Sequence, residues 1–210
     1  MLRIACVVCG ALEENAYIVE NEGRAGAFCI DPGDDYAALR RALAGRSLEV
    51  ICLTHAHYDH MLAAPGLIAD TGAKLYAGAK DIPALNDARL NLYNAAWSRL
   101  PAPQGLKALA YGETLTVCGV KLDVLPTPGH TPGGVTLRCG EALFTGDTLF
   151  RGSCGRTDFA GGDMRQELRS LKRIAELPGD YEVYPGHAES SMLSIEREHN
   201  PYVRHALEKM

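Results

Sequence analysis

Four times along this chain an apolar run of strand length ends in a short turn carrying a metal-ligand side chain. Val50-Ile51-Cys52-Leu53 runs directly into Thr54-His55-Ala56-His57-Tyr58-Asp59-His60. Val124-Leu125 leads through Pro126-Thr127-Pro128-Gly129 to His130. Leu143-Phe144 leads through Thr145-Gly146 to Asp147, and Val183-Tyr184 leads through Pro185-Gly186 to His187. Imidazole nitrogen and carboxylate oxygen suit zinc, iron and manganese at neutral pH. Any fold that uses all four turns must bring four strand ends to one edge, where loops can be shaped without disturbing the core. Glycines in these turns let the backbone approach a site closely or adopt positive φ.

The first turn is the densest, with three imidazoles and a carboxylate between His55 and His60. One ion cannot accept four ligands from so short a segment without severe backbone strain. Alternate positions therefore suit one metal, and the following pair suits a second. Of the seven histidines, five lie at such turns. The other two, His199 and His205, sit among Glu196, Arg197, Glu198 and Arg204 and read as a solvated helix face.

The elements around these turns alternate between two periods. Strands are expected over 3–8, 16–20, 26–30 and 49–53, then over 74–77, 106–110, 114–117, 120–125, 135–138, 142–144 and 182–184. Asp34 is placed to cap a helix running to about 44, and 59–70 reads as helical with Pro65-Gly66 breaking or restarting it. Residues 79–85 suggest a further helical turn or two. Over 163–177, Leu168, Leu171, Ile174 and Ala175 fall on one face, an amphipathic helix. A last helical stretch over 190–207 is interrupted at Asn200-Pro201. Strands dominate, which implies two packed sheets with helices outside, an α/β sandwich. Residues 86–105, with Tyr93 and Trp97, form a long irregular connection suited either to a lid or to packing against outer helices.

Composition narrows the function. With 210 residues the chain can bury a substantial core, and no domain boundary or linker is visible, so 1–210 reads as one domain. A net charge of -5 argues against a nucleic-acid partner and leaves a small-molecule substrate. No apolar run approaches a membrane span. The apolar start runs into Glu13-Glu14 without a cleavage site, so it reads as a first strand and points to the cytoplasm. The seven cysteines fall mostly in strand-like runs, and the Cys6/Cys9 pair reads as buried core residues.

The motifs Thr54 to His60, Thr127-Pro128-Gly129-His130-Thr131-Pro132-Gly133, Phe144-Thr145-Gly146-Asp147-Thr148-Leu149-Phe150 and Tyr184-Pro185-Gly186-His187 stand in this order. Asp31-Pro32-Gly33, Gly155-Arg156-Thr157-Asp158 and Asn200-Pro201 accompany them. Together they resemble the metallo-β-lactamase superfamily, and within it the glyoxalase II-like (hydroxyacylglutathione hydrolase-like) branch. The resemblance implies a four-layer αββα sandwich with a dinuclear site along one edge. The first metal would take His55, His57 and His130. The second would take Asp59, His60 and His187, and Asp147 would bridge them. It also implies two divalent ions, zinc or else iron or manganese, and hydrolysis of a thioester or related carbonyl ester. His60 together with Asp147 sets the chain apart from true β-lactamases.

Branch members commonly carry Gly after the first cluster, His before Thr-Pro-Gly-His, and Gly after the last Gly-His. This chain has Met61, Pro126 and Ala188 there. Glyoxalase II proper has a helical C-terminal extension with glutathione contacts, and only 190–210 stands in its place. Whether the thioester carries glutathione is therefore left open by the sequence. Asp59 is expected to orient the nucleophile, while Tyr58, Tyr93 and Arg156 are candidates for touching substrate. Arg151 is a further cation for an anionic group. Two rival readings stand beside the hydrolase. One is a persulfide dioxygenase with a single iron on His55, His130 and Asp147, suggested by 154–159. The other is a non-catalytic metal-binding or redox-sensing protein.

Overall fold

A computed structural model describes residues 1–93, 107–110 and 112–210. The first half contains β1 (Leu2–Cys9), β2 (Glu14–Asn21), β3 (Gly26–Ile30), α1 (Tyr36–Ala42) and β4 (Ser47–Cys52). A 3-10 turn (Tyr58–His60), α2 (Ala64–Thr71), β5 (Lys74–Gly78), a second 3-10 turn (Ile82–Asn86) and β6 (Lys107–Leu109) follow. The second half contains β7 (Thr114–Val117), β8 (Val120–Pro126), β9 (Val135–Cys139), β10 (Ala142–Gly146), β11 (Leu149–Phe150) and β12 (Ser153–Cys154). It ends with α3 (Met164–Ala175), β13 (Glu182–Pro185), β14 (Ser191–Met192), α4 (Leu193–His199) and α5 (Pro201–Lys209).

Two six-stranded sheets form, ordered β1-β2-β3-β4-β5-β6 and β14-β13-β10-β9-β8-β7. The first turns from antiparallel to parallel at β3, so β4 and β5 follow it in the same direction. In the second, only the β10–β13 pair is parallel. Side chains alternate across each strand, and here both faces are buried. Tyr17, Val19, Phe28, Ile30, Val50 and Cys52 meet Leu122, Val124, Val135, Leu137 and Phe144 between the sheets. Their neighbours Ala16, Ile18, Cys29, Ile51 and Leu53 face the other way, onto Leu39, Leu43 and Leu67 of the α1 and α2 layer. On the far side Leu143 and Val183 pack against Leu168, Leu171, Ile174 and Val203. The layers run helix, sheet, sheet, helix, which is the expected αββα sandwich.

Departures from the expected elements are local. Asp35, not Asp34, caps α1: its side chain accepts from Ala38 N at 3.1 Å, and Asp34 instead accepts from Asp35 N. Pro65 lies in the first turn of α2 and starts it. The two-residue strands β11, β12 and β14 carry too little pattern to be read from sequence. Cys9 is buried, but Cys6 is exposed on β1. Residues three apart on a strand point to opposite faces, so the pair neither buries together nor chelates. His199 and His205 are exposed, as read. Among the described residues no helix is long and apolar enough to cross a membrane.

The C-terminal helices are stapled to the site loops by a buried polar hub. Glu196 accepts from Gly152 N and Asn200 Nδ2, both at 2.8 Å, and from the Ser191 hydroxyl. Asn200 Nδ2 also donates to Phe150 O at 3.2 Å and Ser153 O at 2.9 Å. Truncating Glu196 leaves two donors, Gly152 N and the Ser191 hydroxyl, short of an acceptor, each costing about 1–3 kcal/mol, while Asn200 Nδ2 keeps its two carbonyl partners. Glu196→Ala is expected to lower stability by about 3 kcal/mol, read as a shift in the urea midpoint. Ser191→Ala, which removes one bond, is expected to cost about 1 kcal/mol.

Candidate metal centre

The carboxyl ends of β4, β8, β10 and β13 lie along one edge of the sandwich, and the side chains that follow them converge. Ligand atoms of His55, His57 and His130 lie within 4.8 Å of one another, and so do those of Asp59, His60 and His187. Asp147 stands between the two groups. Its Oδ2 is 3.4 Å from His130 Nε2, while its Oδ1 is 3.3 Å from His60 Nε2 and 3.8 Å from His187 Nε2. Asp59 Oδ2 is 3.4 Å from His187 Nε2 and 3.8 Å from His60 Nε2. All seven residues expected as ligands thus meet at one place.

Outer contacts decide which ring nitrogen each imidazole turns inward. His130 Nδ1 donates to Arg156 O at 2.6 Å, and His187 Nδ1 donates to Leu12 O at 3.0 Å. His60 Nδ1 donates to Asp31 Oδ2 at 3.0 Å. The Thr54 hydroxyl gives its proton to Asp31 Oδ2 at 2.5 Å, so its oxygen is free to accept from His55 Nδ1 at 3.1 Å. In each case the proton on Nδ1 leaves the Nε2 lone pair for the interior. His57 is the exception. Its Nδ1 faces His130 Nε2 at 2.8 Å, and its ring meets Phe159 edge-on.

The donor set fits a pair of divalent cations. His55 Nε2, His60 Nε2 and Asp147 Oδ1 are buried and lack a hydrogen-bond partner. Such groups are costly unless something satisfies them, and convergent lone pairs are what a cation satisfies. Burial and then the neighbouring imidazoles push His55 well below the usual histidine range, and burial and then His130 push His57 down to about 3. Both rings are therefore neutral at physiological pH, the form that ligates. Burial opposes ionisation of Asp147, but the facing His60, His130 and His187 outweigh it and hold the carboxyl below its ordinary range.

A cavity of about 790 Å³ opens onto these groups, lined by His57, Asp59 and His187 at its base. Tyr58, Tyr93, Leu92, Phe159, Arg89 and Arg156 contribute its walls. Tyr58 and Tyr93 pack with ring centroids 5.2 Å apart, and Tyr58 N donates to Asn91 O at 2.9 Å, which fixes the pair beside the centre. Arg156 lies 4.1 Å over the Phe159 ring and is paired in bidentate fashion with Asp158. It reaches the cavity wall and also presents the carbonyl that anchors His130. Arg151 pairs with Glu189 and is not part of the lining. Within the 86–105 segment, 94–105 lie outside the described residues, and with them Trp97.

Glu167, whose place in the amphipathic pattern of 163–177 reads as wet, is instead fully buried, and Glu14, Asn15, Asp81 and, beyond its motif, Asp31 carry no functional signal in the sequence. Glu14 and Glu167 are buried carboxyls next to the centre. Glu167 Oε2 accepts from His130 N at 2.8 Å, and burial pushes its carboxyl up to about 9. Glu14 Oε1 is 3.8 Å from His60 Nδ1. If Asp147 serves both groups, Asp147→Ala should lower the metal content of fully loaded protein from two ions per chain towards one. Elemental analysis after exhaustive dialysis reads this directly, and two retained ions would reject the shared role.

The geometry is matched by known proteins. The family model described as the metallo-β-lactamase superfamily matches residues 9–187. A probable polyketide biosynthesis zinc-dependent hydrolase, PksB of Bacillus subtilis, is 30% identical over 82% of this chain and 72% of its own length. The crystal structure of the B3 metallo-β-lactamase BLEG-1 superposes with a TM-score of 0.87 at 32% identity, covering 97% of this chain and 99% of that one. TTHA1623 in a di-iron-bound form gives 0.82 at 36% identity, covering 94% and 99%. These similarities carry the superfamily and not a branch within it. The chain belongs to the metallo-β-lactamase superfamily.

Proposed function

We propose that this chain is a metal-dependent hydrolase acting on thioesters, in the manner of the glyoxalase II-like branch. His55, His57 and His130 would hold one divalent ion, and Asp59, His60 and His187 the other, with Asp147 between them. Bound there, two such ions supply hydroxide at neutral pH and Lewis-acid stabilisation of a developing oxyanion. Zinc is favoured by the name of the PksB relative and iron by the di-iron form of TTHA1623. Retention of Asp59, His60 and His187 alongside the first group favours the dinuclear reading over a single-iron dioxygenase.

The protein's own groups account for the preference among carbonyl substrates. The carboxylate of Asp59 lies at the base of the cavity. Burial raises its pKa, but the hydrogen bond to His187 outweighs this and holds the group below the ordinary carboxylate range. It is therefore ionised, able to orient a nucleophilic water and unable to give a proton to a leaving group. Tyr58, on the wall, is held above its ordinary pKa by burial and by Asp59, so its phenol remains a hydrogen-bond donor. It can donate to a carbonyl oxygen that gains charge.

Among the described lining residues no carboxylic acid is held in its protonated form. An amine must be protonated to leave, whereas a thiolate, the conjugate base of an acid with pKa near 8.5, leaves unaided. The single observation that carries the thioester reading is this combination of an ionised carboxylate beside the ligand groups and no protonated carboxylic acid among the described lining residues.

The test is turnover by the metal-loaded protein of S-lactoylglutathione and a panel of simple acyl thioesters, beside a β-lactam and a persulfide with oxygen uptake. Thioester hydrolysis abolished by chelation and restored by metal is the expected result. Activity on no thioester at full metal occupancy would overturn the proposal. Tyr58→Phe is expected to lower kcat about 10²-fold, with KM little changed, and Tyr93→Phe to leave kcat close to wild type.

A further inference from the structure

Asp81 sits where a helix cap belongs but does not cap. It precedes the 3-10 turn Ile82–Asn86, yet its side chain makes no capping bond to that turn. An aspartate there ordinarily accepts from the backbone two or three residues on. Instead both oxygens, almost wholly buried, reach across to two other loops. Oδ2 accepts from Ala56 N at 3.2 Å and from the Thr131 hydroxyl at 2.7 Å, and Oδ1 accepts from Gly133 N at 2.6 Å. Ala56 lies between His55 and His57, and Thr131 follows His130. One carboxylate therefore ties together the two loops that carry the first ligand group. The approach is close enough that a Cβ on Gly133 would fall 2.4 Å from Asp81 N and 2.5 Å from its Oδ1.

The second group has a separate tie on the opposite side. Asn15 Nδ2 donates to Pro185 O at 3.1 Å and to Ala188 O at 2.7 Å, bracketing His187 on both sides. Asn15 N donates to Gly186 O at 2.7 Å, and the Tyr17 hydroxyl donates to Pro185 O at 2.6 Å. The bracket also holds Ala188 at φ 67, a conformation that costs a residue with a side chain of order 1–3 kcal/mol. Neither Asp81 nor Asn15 ligates or lines the cavity, and Asp81 makes no contact with the 185–188 segment that Asn15 holds.

The geometry points to Asp81 and Asn15 as positioning residues that act independently, Asp81 on the His55, His57 and His130 group and Asn15 on His187 of the other. The inference rests on the dinuclear reading of the centre and not on the substrate. Loss of an outer partner of this kind lowers metal affinity by about 10–100-fold. Asp81→Asn should therefore weaken one ion by that factor and leave the other, and Asn15→Ala should do the reverse.

The experiment is stepwise cobalt(II) titration of the metal-free full chain against a competing chelator, followed by visible absorption. His57→Ala and His187→Ala provide the reference spectra of protein lacking each group. The expected result is that Asp81→Asn titrates like His57→Ala and Asn15→Ala like His187→Ala. Thr131→Val and Tyr17→Phe, which each remove one bond from the two ties, should reproduce the same split more weakly. Equal weakening of both ions by either variant, or unchanged binding of both, overturns the inference. If a primary variant fails to fold, its milder partner decides by the same criterion. Wild-type protein binding fewer than two ions would instead reject the dinuclear reading itself.

Discussion

Everything at the site edge follows from crowding five imidazoles and two carboxylates together so that most of their lone pairs face one another, with His57, Asp59 and His187 also open to the cavity. His55 Nε2, His60 Nε2 and Asp147 Oδ1 are buried without hydrogen-bond partners. An arrangement this costly persists only when the surroundings leave each side chain no alternative. The surroundings do this from outside. Asp31, Arg156 O and Leu12 O take the outward protons of His60, His130 and His187, and Thr54 takes that of His55. Turning any one ring would bury an N–H without an acceptor as well as move a lone pair away. The tautomers, the ring directions and the convergence are thus one constraint.

That constraint also explains how two sheets of different character share one centre. The first sheet contributes a single dense loop after β4, stiffened by Asp31, whose carboxylate accepts from Thr54 N at 2.7 Å as well as from the Thr54 hydroxyl and His60. The second sheet contributes single ligands from three loops, which have no such local clamp. They are fixed instead by residues from elsewhere, His130 by Glu167 of α3 and His187 by the start of β2. Asp147 at the end of β10 faces both groups. The glycine before His187 is required by this closeness: a Cβ on Gly186 would fall 2.4 Å from Asp147 Oδ1.

The convergence of these seven side chains was legible in the sequence because each lies at the end of an apolar run, in a residue type with little other reason to be there. The layers were legible too, since period-two runs such as Tyr17, Val19 and Ile18 bury both faces. The supports were not. Asp81 stands in Ala79-Lys80-Asp81-Ile82, where an acidic residue before a helical turn reads as an ordinary cap. Glu14 and Asn15 fall between the strands expected over 3–8 and 16–20, where nothing in the sequence marks them as buried. Their partners are 25 to 173 residues away in sequence, and no local pattern encodes a contact at that distance. Asp35 displaced Asp34 as the cap of α1 for a smaller reason of the same kind. Both can supply the oxygen, and the left-handed backbone at Asp35 chose between them.

The cavity shows where chemistry and selectivity part. Its base is the ligand set, fixed by buried hydrogen bonds from both sheets. Its walls are largely Tyr58, Leu92, Tyr93 and Phe159, with Arg89 and Arg156 at the margin. Each arginine is already committed to an aspartate two residues away, Asp87 and Asp158. Two such exposed pairs carry no net charge and add little attraction for an anion. An apolar wall with neutralised cations recognises a substrate by the shape and area it covers. On the proposed hydrolase reading, the carbonyl chemistry at the base is common to esters, lactams and thioesters. Discrimination therefore falls to the leaving group, which the base cannot protonate through Asp59, and to how the rest of the substrate packs against these aromatic walls.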